Sequence, residues 1–146
     1  MSRTIYKITC ALLLLATSAH GQSISVVVLN AKNGHAVRNA VVWAQFYEPP
    51  ANRVLQRLQF KTGPDGVAHI QLAPPLPVQI TLSASADPFY ASFMSVAAAD
   101  VVNHGASCQC DPKAKGHART AKPGEVVFLV CRIPWWVRLL APLESE

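Results

Sequence analysis

Phe60-Lys61-Thr62-Gly63-Pro64-Asp65-Gly66-Val67-Ala68-His69-Ile70-Gln71-Leu72 reads as the end of one strand, a tight turn and a second strand. Pro64 presets φ for the first corner of the turn, Asp65 tolerates the second, and Gly66 takes the exit, where φ can be positive. Beyond the turn, apolar and polar residues alternate, which places Ala68, Ile70 and Leu72 on one face of a half-buried strand. His69 falls on the opposite face, a solvent-facing position rather than that of a catalytic base. A hairpin of this kind says much about fold and little about chemistry.

The same period of two recurs on both sides of it. Upstream, Ile24 to Leu29 alternates with Ile24, Val26 and Val28 on one face, and Asn33-Gly34 signals a turn. Val41 to Tyr47 is rich in β-branched and aromatic residues and is stopped by Glu48-Pro49-Pro50. Val54 to Lys61 follows, with Val54, Leu58 and Phe60 facing inward. Downstream, Ala73-Pro74-Pro75-Leu76-Pro77 lacks the donors of a central strand. Val78 to Ala84 sends Val78, Ile80, Leu82 and Ala84 to one side, and Asp87-Pro88 makes another turn. Phe89 to Val96 is the next strand, although Met94 to Val102 also suits a short helix. An irregular segment over 103–124 precedes a last strand, Val126 to Arg132. The spacing predicts an all-β, antiparallel Greek-key sandwich of about seven strands, with a short C-terminal helix or tail.

Two stretches carry a resemblance. Ile24-x-Val26-x-Val28 followed by Asn33-Gly34-x-x-Val37-x-x-Ala40-x-Val42 looks like the opening of a carboxypeptidase regulatory-like domain. So does Thr62-x-x-Asp65-Gly66-x-Ala68-x-Ile70-x-Leu72 with the strand from Val78 to Ala84 after it. The resemblance covers residues 24–90 and implies an exported, transthyretin-like (prealbumin-like) sandwich, in a group whose members are mostly non-catalytic modules for packing, folding support or binding. The Trp-rich C-terminus is similar to that of small exported bacterial proteins built on this sandwich, generally of unassigned function. Relatives that do catalyse carry marks absent here. A purine-pathway hydrolase ends in Tyr-Arg-Gly-Ser, whereas this chain ends Leu143-Glu144-Ser145-Glu146. Ring-cleaving dioxygenases use two Tyr and two His, and Tyr47, Tyr90, His69, His104 and His117 do not reproduce that pattern.

The ends and the totals bound the rest. Arg3 and Lys7, the apolar run from Ile8 to Ala16 and the small-x-small site Ala19-His20-Gly21 read as a signal peptide over 1–21. The run is too short to span a bilayer. The chain is therefore expected to be exported, periplasmic or secreted. One β-sandwich domain over 22–133 and a Trp-rich tail over 134–146 remain. The signal holds two of the 13 Lys and Arg and none of the eight acids, so eleven cations against eight anions leave a mild +3. The basic residues are not interleaved with aromatic ones, so nucleic acid is not an expected partner.

Four stretches bear on chemistry. In the first, His104, Cys108, Cys110 and His117, with Cys131 beyond, offer thiolate and imidazole, the ligand set for zinc or copper. The spacing is not the Cys-x-x-Cys of common zinc sites, and an exported compartment favours a disulfide. The candidate pair is Cys110 with Cys131, or Cys108 with Cys131, closing about 20 residues for about 3 kcal/mol. Cys10 leaves with the signal, so one thiol is left over. The second is the run Lys113, Lys115, His117, Arg119 and Lys122, either a solvated loop or a contact for an anionic surface. In the third, Trp135, Trp136 and Arg138 in the tail suit a membrane interface or a partner groove, or else a flap over an open edge of the core. The fourth is catalysis: no acid, base and nucleophile constellation, phosphate loop or His-Glu-x-x-His motif is present, so neither enzymatic activity nor a cofactor is expected. The expectation is a non-catalytic interaction or structural module of the envelope, with a small copper- or zinc-binding protein as the alternative.

Overall fold

The computed structural model describes residues 21–48, 53–111 and 119–140. All but the last residue of the expected signal peptide, Pro49-Pro50, most of the basic run with His117, and the last six residues lie outside the described residues. The chain order is β1 (Gln22–Asn30), β2 (Val41–Glu48), β3 (Arg53–Lys61), β4 (Val67–Leu72), β5 (Gln79–Ser85), β6 (Ser92–Ala97), α1 (Ala98–His104), β7 (Ala106–Gln109), β8 (Glu125–Val130) and α2 (Trp135–Leu140). Two four-stranded sheets result: sheet A in the order β4-β1-β8-β7 and sheet B in the order β3-β2-β5-β6.

Sheet B is antiparallel throughout. Sheet A is mixed: β1 pairs antiparallel with β4, while β8 runs parallel to both β1 and β7. The expectation of antiparallel pairing thus holds for sheet B and for β1 with β4, and not for β8. Parallel neighbours need a crossover, and here the intervening chain, which passes through sheet B, supplies it between β1 and β8.

The stretch around Pro64 is a corner rather than a hairpin. β3 pairs with β2 in one sheet and β4 with β1 in the other, so the turn carries the chain from sheet B to sheet A. Within it, Gly63 N–H bonds to Val67 O (3.0 Å), and Asp65 Oδ1 accepts from Val67 N–H (3.1 Å). Thr62 fixes the exit from β3. Its buried hydroxyl donates to Val37 O (2.7 Å) and accepts from Ala40 N–H (2.9 Å), tying β3 to the segment before β2. On the far side Gly66 O accepts from Val28 N–H (2.9 Å), which hands the chain to β1. Gly66 sits at φ +75°, and a Cβ there would meet Val28 O at 2.8 Å, so the corner requires glycine.

Between the sheets lies the main core: Ile24, Val26 and Val28 of β1, beside Val126, Phe128 and Val130 of β8, face Ile80, Leu82 and Ala84 of β5 across the sandwich. α1, which links the two sheets between β6 and β7, buries Ala98 and Val101 against this core. Three local differences from expectation have physical causes. Val54 is 43% exposed because Leu55 has no partner in the β2–β3 register, and this bulge turns Val54 to the outer face. Val78 precedes the first ladder pair of β5 and is exposed at the rim. The segment expected to be irregular contains β7 and the end of α1.

Candidate functional site

A second apolar cluster lies on the outer side of sheet A. Val27, Leu29, Ala31, Val127 and Leu129 are buried there, with Cys110, Ala121 and Cys131 packed against them. Cys110 and Cys131 form a disulfide with Cα atoms 5.7 Å apart, one of the two pairings the sequence left open. Cys108 is free. It sits in β7 facing the main core, with its Sγ 3.6 Å from Phe93 O, and burial pushes its thiol above the ordinary range. The chain turns after Gln109, so that Cys110 meets the outer cluster instead. The structure therefore does not bring Cys108 and Cys110 together as paired ligands, and the disulfide withdraws Cys110 from any thiolate set. His104 is exposed at the end of α1, and among the described residues no three His, Cys, Asp or Glu side chains gather as a metal requires.

Of the basic run, Arg119 is held by Glu125, whose carboxylate is buried and also accepts from Lys122 N–H (3.1 Å). Glu125 N–H returns a bond to Lys122 O (2.9 Å). Arg119 thus anchors residues 119–124, a short strap before β8 whose Ala121 packs on the outer cluster of sheet A. His69 is exposed on β4, with its Nδ1 3.2 Å from Ser25 Oγ. A cleft of about 210 Å³ lined by Phe46, Leu55, Leu72 and the Pro74–Pro77 turn has no titratable side chain among the described residues that line it.

The tail is different. Ile133 N–H bonds to Pro88 O (2.7 Å), Tyr90 N–H to Cys131 O (3.0 Å), and Arg132 bridges Phe89. These bonds lash the chain after β8 to the β5–β6 connection. Pro134, whose fixed φ suits a first turn, then opens α2, with Val137 N–H bonded to Pro134 O (3.1 Å). Arg138 reaches back to both carboxylate oxygens of Asp87, at 3.0 and 3.1 Å. No residue of α2 is buried. Trp135 is 74% exposed, Trp136 55%, Leu139 66% and Leu140 55%. At about 100° per residue these four share one face, and Val137 and Arg138 lie on the other. Of the two alternatives left open for the tail, the described residues do not form the flap: the Arg138–Asp87 contact holds the opposite side of α2 to the body and leaves the aromatic side outward.

Sequence reasoning named Trp135, Trp136 and Arg138 but took Asp87 only as a turn residue. Its role depends on a partner 51 positions away, which no local pattern shows. It also passed over Trp43 and Phe93, which are 39% and 77% exposed on sheet B. The signal was present in the alternation, since Val42 and Ala44 face the core and Trp43 must face out.

Among the described residues no helix is long and apolar enough to cross a membrane. Compared with known proteins, the chain matches no family model and no curated relative.

Proposed function

We propose that this protein is a non-catalytic, exported interaction module of the cell envelope, built on a sandwich of the transthyretin-like, carboxypeptidase regulatory-like kind, which makes contact through α2. The observation that carries this reading is the outward aromatic face of that helix, with Trp135, Trp136, Leu139 and Leu140 all in water. Soluble proteins seldom leave such clusters bare without a use for them. Two tryptophans over short aliphatic residues, with an arginine beside them, are the chemistry of a membrane–water interface, where indole rings settle at headgroup depth. The helix is too short to span, so the contact is peripheral. A disulfide accords with an oxidising, extracytoplasmic compartment.

The test compares the mature chain with one ending at Arg132, by thermal melting and by co-sedimentation with vesicles containing phosphatidylglycerol. Loss of one exposed ion pair and of the Ile133–Pro88 backbone bond should shift Tm by no more than about 6 °C, while vesicle binding should disappear. Aggregation of the shortened chain would show that α2 covers the core after all. Undiminished vesicle binding, or none by the mature chain, would also sink the proposal.

A further inference from the structure

The outer side of sheet B is bare, and its chemistry differs from that of the tail. In the registered row across the four strands, Gln59, Trp43, Ser83 and Phe93 stand side by side. Trp43 and Phe93 flank the small Ser83, and two strand spacings put the aromatic positions roughly 9–10 Å apart. The next row is polar and internally ordered. Ser95 Oγ lies 2.9 Å from Thr81 Oγ1 and accepts from Gln79 Nε2 at 2.7 Å. Gln45, in the amide orientation that satisfies both neighbours, accepts from Arg57 Nε and Nη2 at 3.0 Å and donates to Tyr47 Oη at 2.6 Å. On the other side of the aromatic row, Val41 and Ser85 lead into an open groove of about 400 Å³.

Each feature narrows the occupant. Amides and hydroxyls donate and accept at once, matching a surface of hydroxyl groups. Exposed aromatic rings suit the apolar faces of sugar rings, and the gap at Ser83 leaves room between them. A protein partner or an acyl chain would want an apolar centre, whereas β5, between the strands of Trp43 and Phe93, presents Ser83 between the two rings and Thr81 in the next row. Charge supplies the last term: the outward positions of the four strands carry Arg57 and Lys61 and no carboxylate. Asp87, at the groove, is already occupied by Arg138.

We infer that the outer face of sheet B binds an acidic glycan, a chain of sugars bearing carboxylates, stacked on Trp43 and Phe93 across Ser83 and met by Arg57 and Lys61. The two aromatics grip the rings, and the cations on the β3 side select for the carboxylates. This site is separate from α2 and stands or falls without it.

The experiment is calorimetric titration of the mature chain with an alginate hexasaccharide, with cellohexaose as the uncharged probe. Saturable binding of alginate, at least about tenfold tighter than cellohexaose, is expected. Trp43→Ala and Phe93→Ala should each weaken it about tenfold. Arg57→Gln with Lys61→Gln should weaken it and flatten its dependence on salt. Ser83→Tyr fills the gap with a residue that favours strands, so it should abolish binding with Tm unchanged, which guards against a Trp43 variant that fails to fold. Trp135→Ala with Trp136→Ala should change nothing, even if the vesicle binding of the tail is lost. Equal affinity for cellohexaose, no binding of alginate, binding indifferent to Ser83→Tyr, or binding lost with the tail tryptophans would each overturn the inference.

Discussion

The two outer faces of the sandwich are built from the same kind of strand and meet opposite fates. On sheet A the outward residues Val27, Leu29, Val127 and Leu129 are apolar and lie under a strap fastened by the Cys110–Cys131 disulfide and the Arg119–Glu125 pair. On sheet B they are Trp43, Gln45, Thr81, Ser83, Phe93 and Ser95, half-buried or exposed. β8 shows the first condition in its composition, Glu125–Val130 being buried at all six positions. β5 shows the second, alternating buried residues with exposed or half-buried ones from Gln79 to Ser85. A strand that is apolar on both sides needs cover on both sides, so sheet A is locally the middle of three layers and sheet B is an outer wall. The covered face is a stability device, which leaves the bare face free to meet something else.

That contrast can be broken most severely at the strap. Replacing Cys110 and Cys131 together by Ala should cost about 3 kcal/mol, from the freed loop alone, measured by denaturant unfolding with the wild type in reductant as a second route to the same state. If the loss is negligible, the strap is not what holds the outer cluster. A sharper version compares one residue from each outer face. Leu129→Ala should cost about 2–4 kcal/mol, whereas Thr81→Ala, which loses one hydroxyl contact and some strand propensity, should cost no more than about 1 kcal/mol. Equal effects would mean that the two faces are alike. The smallest effect concerns Cys108, on the core side of β7. Its folded thiol titrates above the ordinary 9.0, because burial disfavours the thiolate. The resulting contribution to stability is fully present below 9.0 and is lost as pH rises from there through the folded value. Stability should therefore fall a little more between pH 8 and pH 10 in the wild type than in Cys108→Ser, and the thiol should react with Ellman's reagent more slowly than in the unfolded chain. Equal slopes and equal rates would place Cys108 in water.

Much of this architecture was legible in the chain. β4 has the predicted bounds, Val67 to Leu72, because strict alternation and a strong turn signal coincide there. The inward faces of β1 and β5 follow from the same alternation. What escaped were features decided by distant partners. The turn at Pro64 has the local chemistry of a hairpin, and only the pairing of β3 with β2 and of β4 with β1 makes it a corner. β7 is four residues, Ala106–Gln109, with no local strand signal, and exists because β8 offers it an edge. The bulge at Leu55 reversed Val54, since alternation assumes an unbroken register. For the candidate sites, the identity of the disulfide partners was narrowed to two choices by cysteine count and compartment, and the direction in which Trp135 and Trp136 face depended on Asp87, far away in sequence.

The parallel pairing of β1 with β8 has a temporal consequence. Ser25 lies opposite Glu125, a hundred positions later, and this pair of strands forms the middle of its sheet. Until the last strand has left the ribosome, the first has its inner edge open and half of its hydrogen-bonding groups idle. Pairing across such a separation is slow to form, and no shorter product can substitute for it. A chain wired in this way stays open for as long as it is being made, and closes this sheet only once both of its ends are present.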